Sequence, residues 1–286
     1  MTRRLQRYYP KTLLWLVLAV CFPAEISAES TPPVFFSAQY DKPYKKLSSG
    51  IQIIPTEHWS AYQVELPFPF SVFGVNFSAA HIAHKGVISF AHRCDQGCPR
   101  FGETCDIQTF NCYRSSLFSG VLGQSSAPQS LLAAYWDDLS FESTGNNATE
   151  IRFETRGTAP HREFIVDWQK VVHHQALPGE VRGYTSFKAK LYEPHSIIEL
   201  HFGDSVASVD TPSWSGQIGI ENDDGQKIFR PIRCDGRQQG CDWESLEGLR
   251  NKVIIFGDFD GPELIAQFSG PTGGSARRRA RAGTRG

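Results

Sequence analysis

Two pairs of neighbouring carboxylates carry the clearest capacity for chemistry in this sequence. Asp137 and Asp138 end an apolar run, while Asp223 and Asp224 follow Asn222 in a turn-rich stretch. Hard divalent cations take several oxygen ligands from loops, so the two pairs together could hold calcium. Acidic residues where strands end also satisfy turn amides with their own side chains, and that plainer role is the preferred reading. The segment GDFDG, with Asp258 and Asp260, resembles the start of a calcium loop but lacks the third spaced acid and the closing Glu. Glu199 and His201 are two apart, so a strand would set them on one face, as half of a metal or acid/base site. A solvent-facing cross-strand pair is the simpler expectation for them. His173 and His174 are adjacent and would point to opposite faces. Neither G-x-S-x-G, H-E-x-x-H nor a phosphate-cradling Gly loop occurs, so no catalytic residue is expected, and no cofactor beyond a candidate calcium is expected at these acids.

Cysteine usage points to an oxidising compartment. Cys94, Cys98, Cys105, Cys112, Cys234 and Cys241 remain once Cys21 is set aside in an apolar N-terminal run. Six is even, as complete disulfide pairing requires. Cys234 and Cys241 bracket the turn-forming DGRQQG and are expected to pair with each other. The other four lie in a polar, Gly-containing insertion, 94–112, that two bridges would hold, each worth ~2–3 kcal/mol of chain entropy. A zinc site using these Cys and His92 is the alternative.

The N-terminus explains the compartment. Arg3, Arg4, Arg7 and Lys11 precede the run Leu13–Phe22, and small residues follow at Ser27 and Ala28. That is the order of a signal peptide, expected at 1–28, and the run is short of the ~20 residues a membrane-spanning helix needs. LAVC ending at Cys21 is a poorer alternative, as a lipoprotein site. Without this leader and the Arg-rich tail (Arg277 to Arg285) the remainder is net acidic, which opposes nucleic-acid binding.

The positioning elements read as strands. In EFIVDWQKV, Phe164, Val166 and Trp168 fall on one face, with Ile165, Asp167 and Gln169 on a mostly wet other face. Phe187, Ala189 and Leu191 oppose Lys188 and Lys190 in the same way, and Ile198, Leu200 and Phe202 continue the pattern. Further strands are expected at 51–54, 61–66, 79–83, 86–91, 131–136, 150–155, 216–221, 226–232 and 253–259, with turn clusters such as TGNN and ENDDGQ between them. The fold class expected is all-β, a two-sheet antiparallel sandwich of jelly-roll type with a disulfide-rich insertion. Its boundaries are an extended lead-in at 29–48, a domain at 49–268 and a disordered Arg-rich tail at 269–286.

Four motifs in order resemble nidogen-like extracellular domains and the related segment of plexin-domain-containing membrane proteins. They are VELPFPFSVFGVNFSAAHIAHKGVISF, with Phe68, Pro69 and Phe70 leading to Gly86, Ile88 and Phe90; APQSLLAAYWDDLSF, with Tyr135, Trp136, Asp137 and Asp138; EIRFETRGTAPHREFIVDWQKV; and SGQIGIENDDGQ. The resemblance covers about residues 60 to 230. It implies a secreted or surface adhesion or matrix-type module without catalysis, whose partner is an extracellular or envelope protein or a glycan. In a bacterium that means the periplasm or cell surface. The 94–112 insertion departs from the family pattern, and no growth-factor-like repeats follow. A lectin is the alternative, with Trp214 and Trp243 as sugar-stacking candidates, and a hydrolase stands behind it. Asn76 and Asn147 are glycosylation acceptors in a eukaryotic host.

Overall fold

The computed structural model describes residues 35–54, 61–90, 122, 130–141, 148–173, 183–206, 216–232 and 247–258. Within them lie fourteen strands: β1 (Phe35–Asp41), β2 (Ile51–Ile53), β3 (Ala61–Val72), β4 (Val75–Ala83), β5 (Val87–Ser89), β6 (Leu131–Trp136), β7 (Leu139–Ser140), β8 (Glu150–Arg156), β9 (Glu163–His173), β10 (Tyr184–Tyr192), β11 (Ile198–Val206), β12 (Gln217–Glu221), β13 (Ile228–Phe229) and β14 (Lys252–Asp258). They form two antiparallel sheets. The first runs β1-β14-β11-β10-β9-β8-β2, with β7 beside β9, and the second β13-β12-β6-β5-β4-β3. This is the expected sandwich, built mainly from hairpins between strands consecutive in the chain.

Period-two alternation explains the inner layer. Phe164, Val166 and Trp168 meet Phe187, Ala189, Leu191, Ile198, Leu200 and Phe202 in one core with Val64, Phe70, Ile82, Ile88 and Leu132 of the second sheet. Trp168 stacks on Phe187 at 5.2 Å, and Tyr135 meets the same ring edge-on at 5.7 Å. Full burial of such rings is the largest apolar contribution available to a sandwich, ~3–5 kcal/mol lost on truncation to Ala.

β3 extends past its expected end at residue 66. Its register against β4 breaks between Glu65 and Phe70, around Pro67 and Pro69. Proline donates no ladder hydrogen bond, yet β3 is a sheet edge, where that loss is tolerated.

Two differences from the sequence reading concern the outer faces. Residues expected as lead-in supply β1, which pairs with β14 from Phe35↔Asp258 to Asp41↔Lys252. The outer face expected to be wet is also covered: Asp167 is 0% exposed, Gln169 5%, Lys188 6%, Glu199 2% and His201 3%. On the second sheet Ala83, Val87, Leu131, Ala133 and Trp136 form a separate outer cluster with Leu122.

Candidate functional site

The Asp137–Asp138 elbow between β6 and β7 packs against the turn at 84–86 between β4 and β5. Gly86 makes the approach possible: its φ is +79°, and a Cβ there would lie 2.0 Å from the Tyr135 carbonyl oxygen. The Gly86 carbonyl accepts from the Ala134 and Tyr135 amides at 3.0 and 3.3 Å, and the Lys85 carbonyl from the Asp137 amide at 3.4 Å. Clamped in this way, Lys85 Nζ donates to Asp138 Oδ1 at 2.6 Å, both side chains 3% exposed. Asp137 Oδ1 accepts the Asp138 amide at 2.8 Å, and its Oδ2 accepts from the Tyr135 hydroxyl at 3.3 Å. Burial pushes the Lys85 ammonium below its ordinary value, against the opposing pull of Asp138 and Asp137.

A second polar site spans the outer face of the first sheet. Residues 42–50 lie over β9, β10 and β11 as a strap. Asp167 and Lys188 are register partners on neighbouring strands, and Lys188 is paired in turn with His201. The Tyr44 hydroxyl donates to Asp167 Oδ1, while Oδ2 accepts from the Leu47 amide at 2.7 Å and from Gln169 Nε2 at 2.8 Å. Lys188 reaches the Lys45 carbonyl and lies 4.8 Å from the Tyr44 ring centroid. That ring rests on Gly203, where a Cβ would come within 2.7 Å of it. Burial raises the Asp167 carboxyl even though Tyr44, the Leu47 amide, Lys188 and Gln169 all favour its charged form. Burial likewise lowers Lys188 and raises Tyr44.

Glu199 and His201 share a face, as expected, but the pair is buried rather than solvent-facing. His201 Nε2 hydrogen-bonds Glu199 Oε1, Lys42 reaches the same oxygen at 3.3 Å, and the Tyr192 hydroxyl donates to Oε2 at 2.9 Å. Burial alone would raise the Glu199 carboxyl, but His201, Lys190 and Lys42 hold it below the carboxylate range. Burial lowers His201, whose Nε2–H donates the hydrogen bond to the Glu199 carboxylate. The strap thus covers a saturated network, not an open acid/base dyad.

The acidic pairs do not assemble into one set. β12 pairs with β6 from Gln217↔Trp136 to Glu221↔Leu131. Asp137 and Asp138 therefore stand at one end of β12, with Asp223 and Asp224 at the other. Asp223 and Asp224 are exposed in a turn, where Asp224 Oδ1 accepts the Gln226 amide at 2.8 Å and Asn222 Oδ1 the Lys227 amide at 2.9 Å. Among the described residues no group of three or more His, Cys, Asp or Glu side chains is placed to hold a metal ion. Asn76 is exposed, opposite Ser71 in the β3–β4 hairpin. The six cysteines, Asn147, His92, His174, Trp214, Trp243, Asp260 and segments 1–28, 94–112 and 269–286 lie outside the described residues.

Sequence reasoning missed Lys85, Tyr44 and the polar face of β9 to β11 as buried groups. A signal for Lys85 was its place directly before Gly86 inside an otherwise apolar stretch.

A family model described as NIDO related matches residues 35–232, well over half of the chain. No curated protein and no solved structure matches it. The match begins at β1, which agrees with that strand belonging to the first sheet. Domains of this kind are extracellular modules and generally non-catalytic, and among the described residues no helix is long and apolar enough to cross a membrane. With its two-sheet frame and its motifs in family order, the chain belongs to the NIDO-related family and carries a nidogen-like domain.

Proposed function

We propose that this chain works outside the cytoplasm as an adhesion or matrix-type binding module without catalytic activity, its partner an extracellular or envelope protein. The observation that carries the reading is where the chemistry-bearing side chains go. Asp138, Asp167 and Glu199 are each tied to a cation or several donors from another part of the frame, so they brace the sandwich instead of facing a substrate. A protein partner is favoured over a glycan by the large apolar side chains that the described residues leave exposed. Among the described residues, apolar exposure collects beside the edge strands β2 and β3, at Ile51 (56%), Ile54 (76%) and Tyr62 (43%). Ile51 pairs with Phe153, and the Tyr62 ring lies 5.7 Å from the Phe153 ring.

The test is affinity capture from envelope or matrix extract, with the captured protein identified and its binding then measured with purified partner. Ile54→Asp combined with Tyr62→Asp should weaken that binding at least ~10-fold, which is about 1.4 kcal/mol. Binding on a glycan array with no protein partner, or turnover of a glycoside substrate, would overturn the proposal.

A further inference from the structure

The Lys85–Asp138 contact is more than a salt bridge needs and, as an ion pair, less than complete. A buried pair of charges recovers its desolvation cost only if the remaining lone pairs are hydrogen-bonded. Asp138 Oδ2 is buried and, among the described residues, has no hydrogen-bond partner. The elbow also holds the Asp137 carboxylate, and aromatic side chains lie near the turn. Trp168 Nε1 donates to the Ala83 carbonyl at 2.8 Å, Phe141 meets the His84 ring edge-on at 5.9 Å, and Tyr135 is fully buried. Burial pushes the Lys85 ammonium toward its neutral form.

Amine and acid do not condense in water largely because both are ionised and must find each other. Here the two groups are already in contact, Lys85 Nζ 2.6 Å from Asp138 Oδ1. The proton can pass from the ammonium to the facing carboxylate, and the turn and elbow are already fixed by the backbone hydrogen bonds of Gly86, Lys85 and Asp137. Pre-positioning of this kind corresponds to effective molarities on the order of 10⁵–10⁸ M.

We propose that Lys85 and Asp138 condense to an isopeptide cross-link joining the β4–β5 turn to the β6–β7 elbow. Neutral Nζ attacks Cγ of the protonated Asp138 carboxyl and a C–N bond forms. One C–O bond breaks, and the oxygen leaves as water carrying its own proton and one from nitrogen. No oxidant, reductant or further reactant is required. The bond closes a loop between positions 53 apart, and that loop contains the insertion 94–112. The stretch between Lys85 and Asp138 is thereby closed by a link that thiol reductants do not cut.

Intact-mass spectrometry of the purified, denatured and fully reduced protein decides the matter. The expected mass is below the sequence mass by one water, with a tryptic species joining the peptides that hold Lys85 and Asp138. Lys85→Arg, whose guanidinium keeps the charge but does not acylate, should restore the full mass. Full mass in the unaltered protein overturns the proposal, and so does a one-water loss that persists in Lys85→Arg.

Discussion

The elbow and the strap bury carboxylates by opposite means. Asp167 receives a hydroxyl, a backbone amide and a side-chain amide, from Tyr44, Leu47 and Gln169, and both of its oxygens are used. Asp138 receives one ammonium on one oxygen. The strap therefore distributes its charge over many modest contacts, each worth ~0.5–1.5 kcal/mol, while the elbow concentrates it in one. A site built from many donors tolerates the loss of one. A site built from a single contact does not, and it is the one where covalent chemistry can relieve the burial.

The sharpest way to break this comparison is Lys85→Ala. It leaves the Asp138 carboxylate buried without its cation and should cost ~3–5 kcal/mol in urea unfolding. A loss no larger than that of the strap variants would erase the contrast. Next comes Asp167→Ala, which strands several buried donors at once and should cost about 2–3 kcal/mol, with faster hydrogen exchange at the Leu47 amide.

Acid sensitivity separates the strap's own groups. His201 has a folded-state value lowered from 6.5, so the unfolded chain takes up a proton that the fold refuses. Its contribution is whole above that pH and is lost as pH falls below it. Glu199, lowered from 4.5, acts in the same direction in a more acidic window. Asp167, raised from 3.8, acts in the opposite direction, its contribution lost as pH rises above that value. Comparing His201→Gln with the unaltered protein cancels the Asp167 effect, and the variant should lose about 1 kcal/mol per pH unit of slope between pH 7 and 5 in thermal melts. An unchanged slope would mean that His201 does not resist protonation. The smallest effect is Tyr44→Phe, ~0.5–1.5 kcal/mol by urea midpoint, because the Leu47 amide and Gln169 still hold Asp167.

The inner layer was legible because one rule governs it. Alternation in 164–168, 187–191 and 198–202 puts the apolar residues on one face, and nothing distant alters that. The same rule sends Asp167, Gln169 and Lys188 to solvent, and there it failed. What covers them arrives from 120 or more positions upstream, in a segment whose Tyr44, Lys45 and Leu47 show no apolar period. Its complement is a polar surface, so the strap matches by hydrogen bonds and leaves no hydrophobic pattern to find. The elbow failed for a related reason. Asp137 and Asp138 were conspicuous in the sequence, but which end of β12 they would meet depends on strand order. Chemical likeness to Asp223 and Asp224 grouped residues that the sheet holds apart.

The pairing of the first and last described strands has a mechanical consequence. Phe35 stands opposite Asp258, so the start of β1 and the end of β14 are one rung of a single ladder. Tension applied through the two flanks would peel β1 from β14 one rung at a time instead of shearing all rungs together. Such a load would lift the strap first and expose the ionic layer beneath it while the aromatic interior stayed closed.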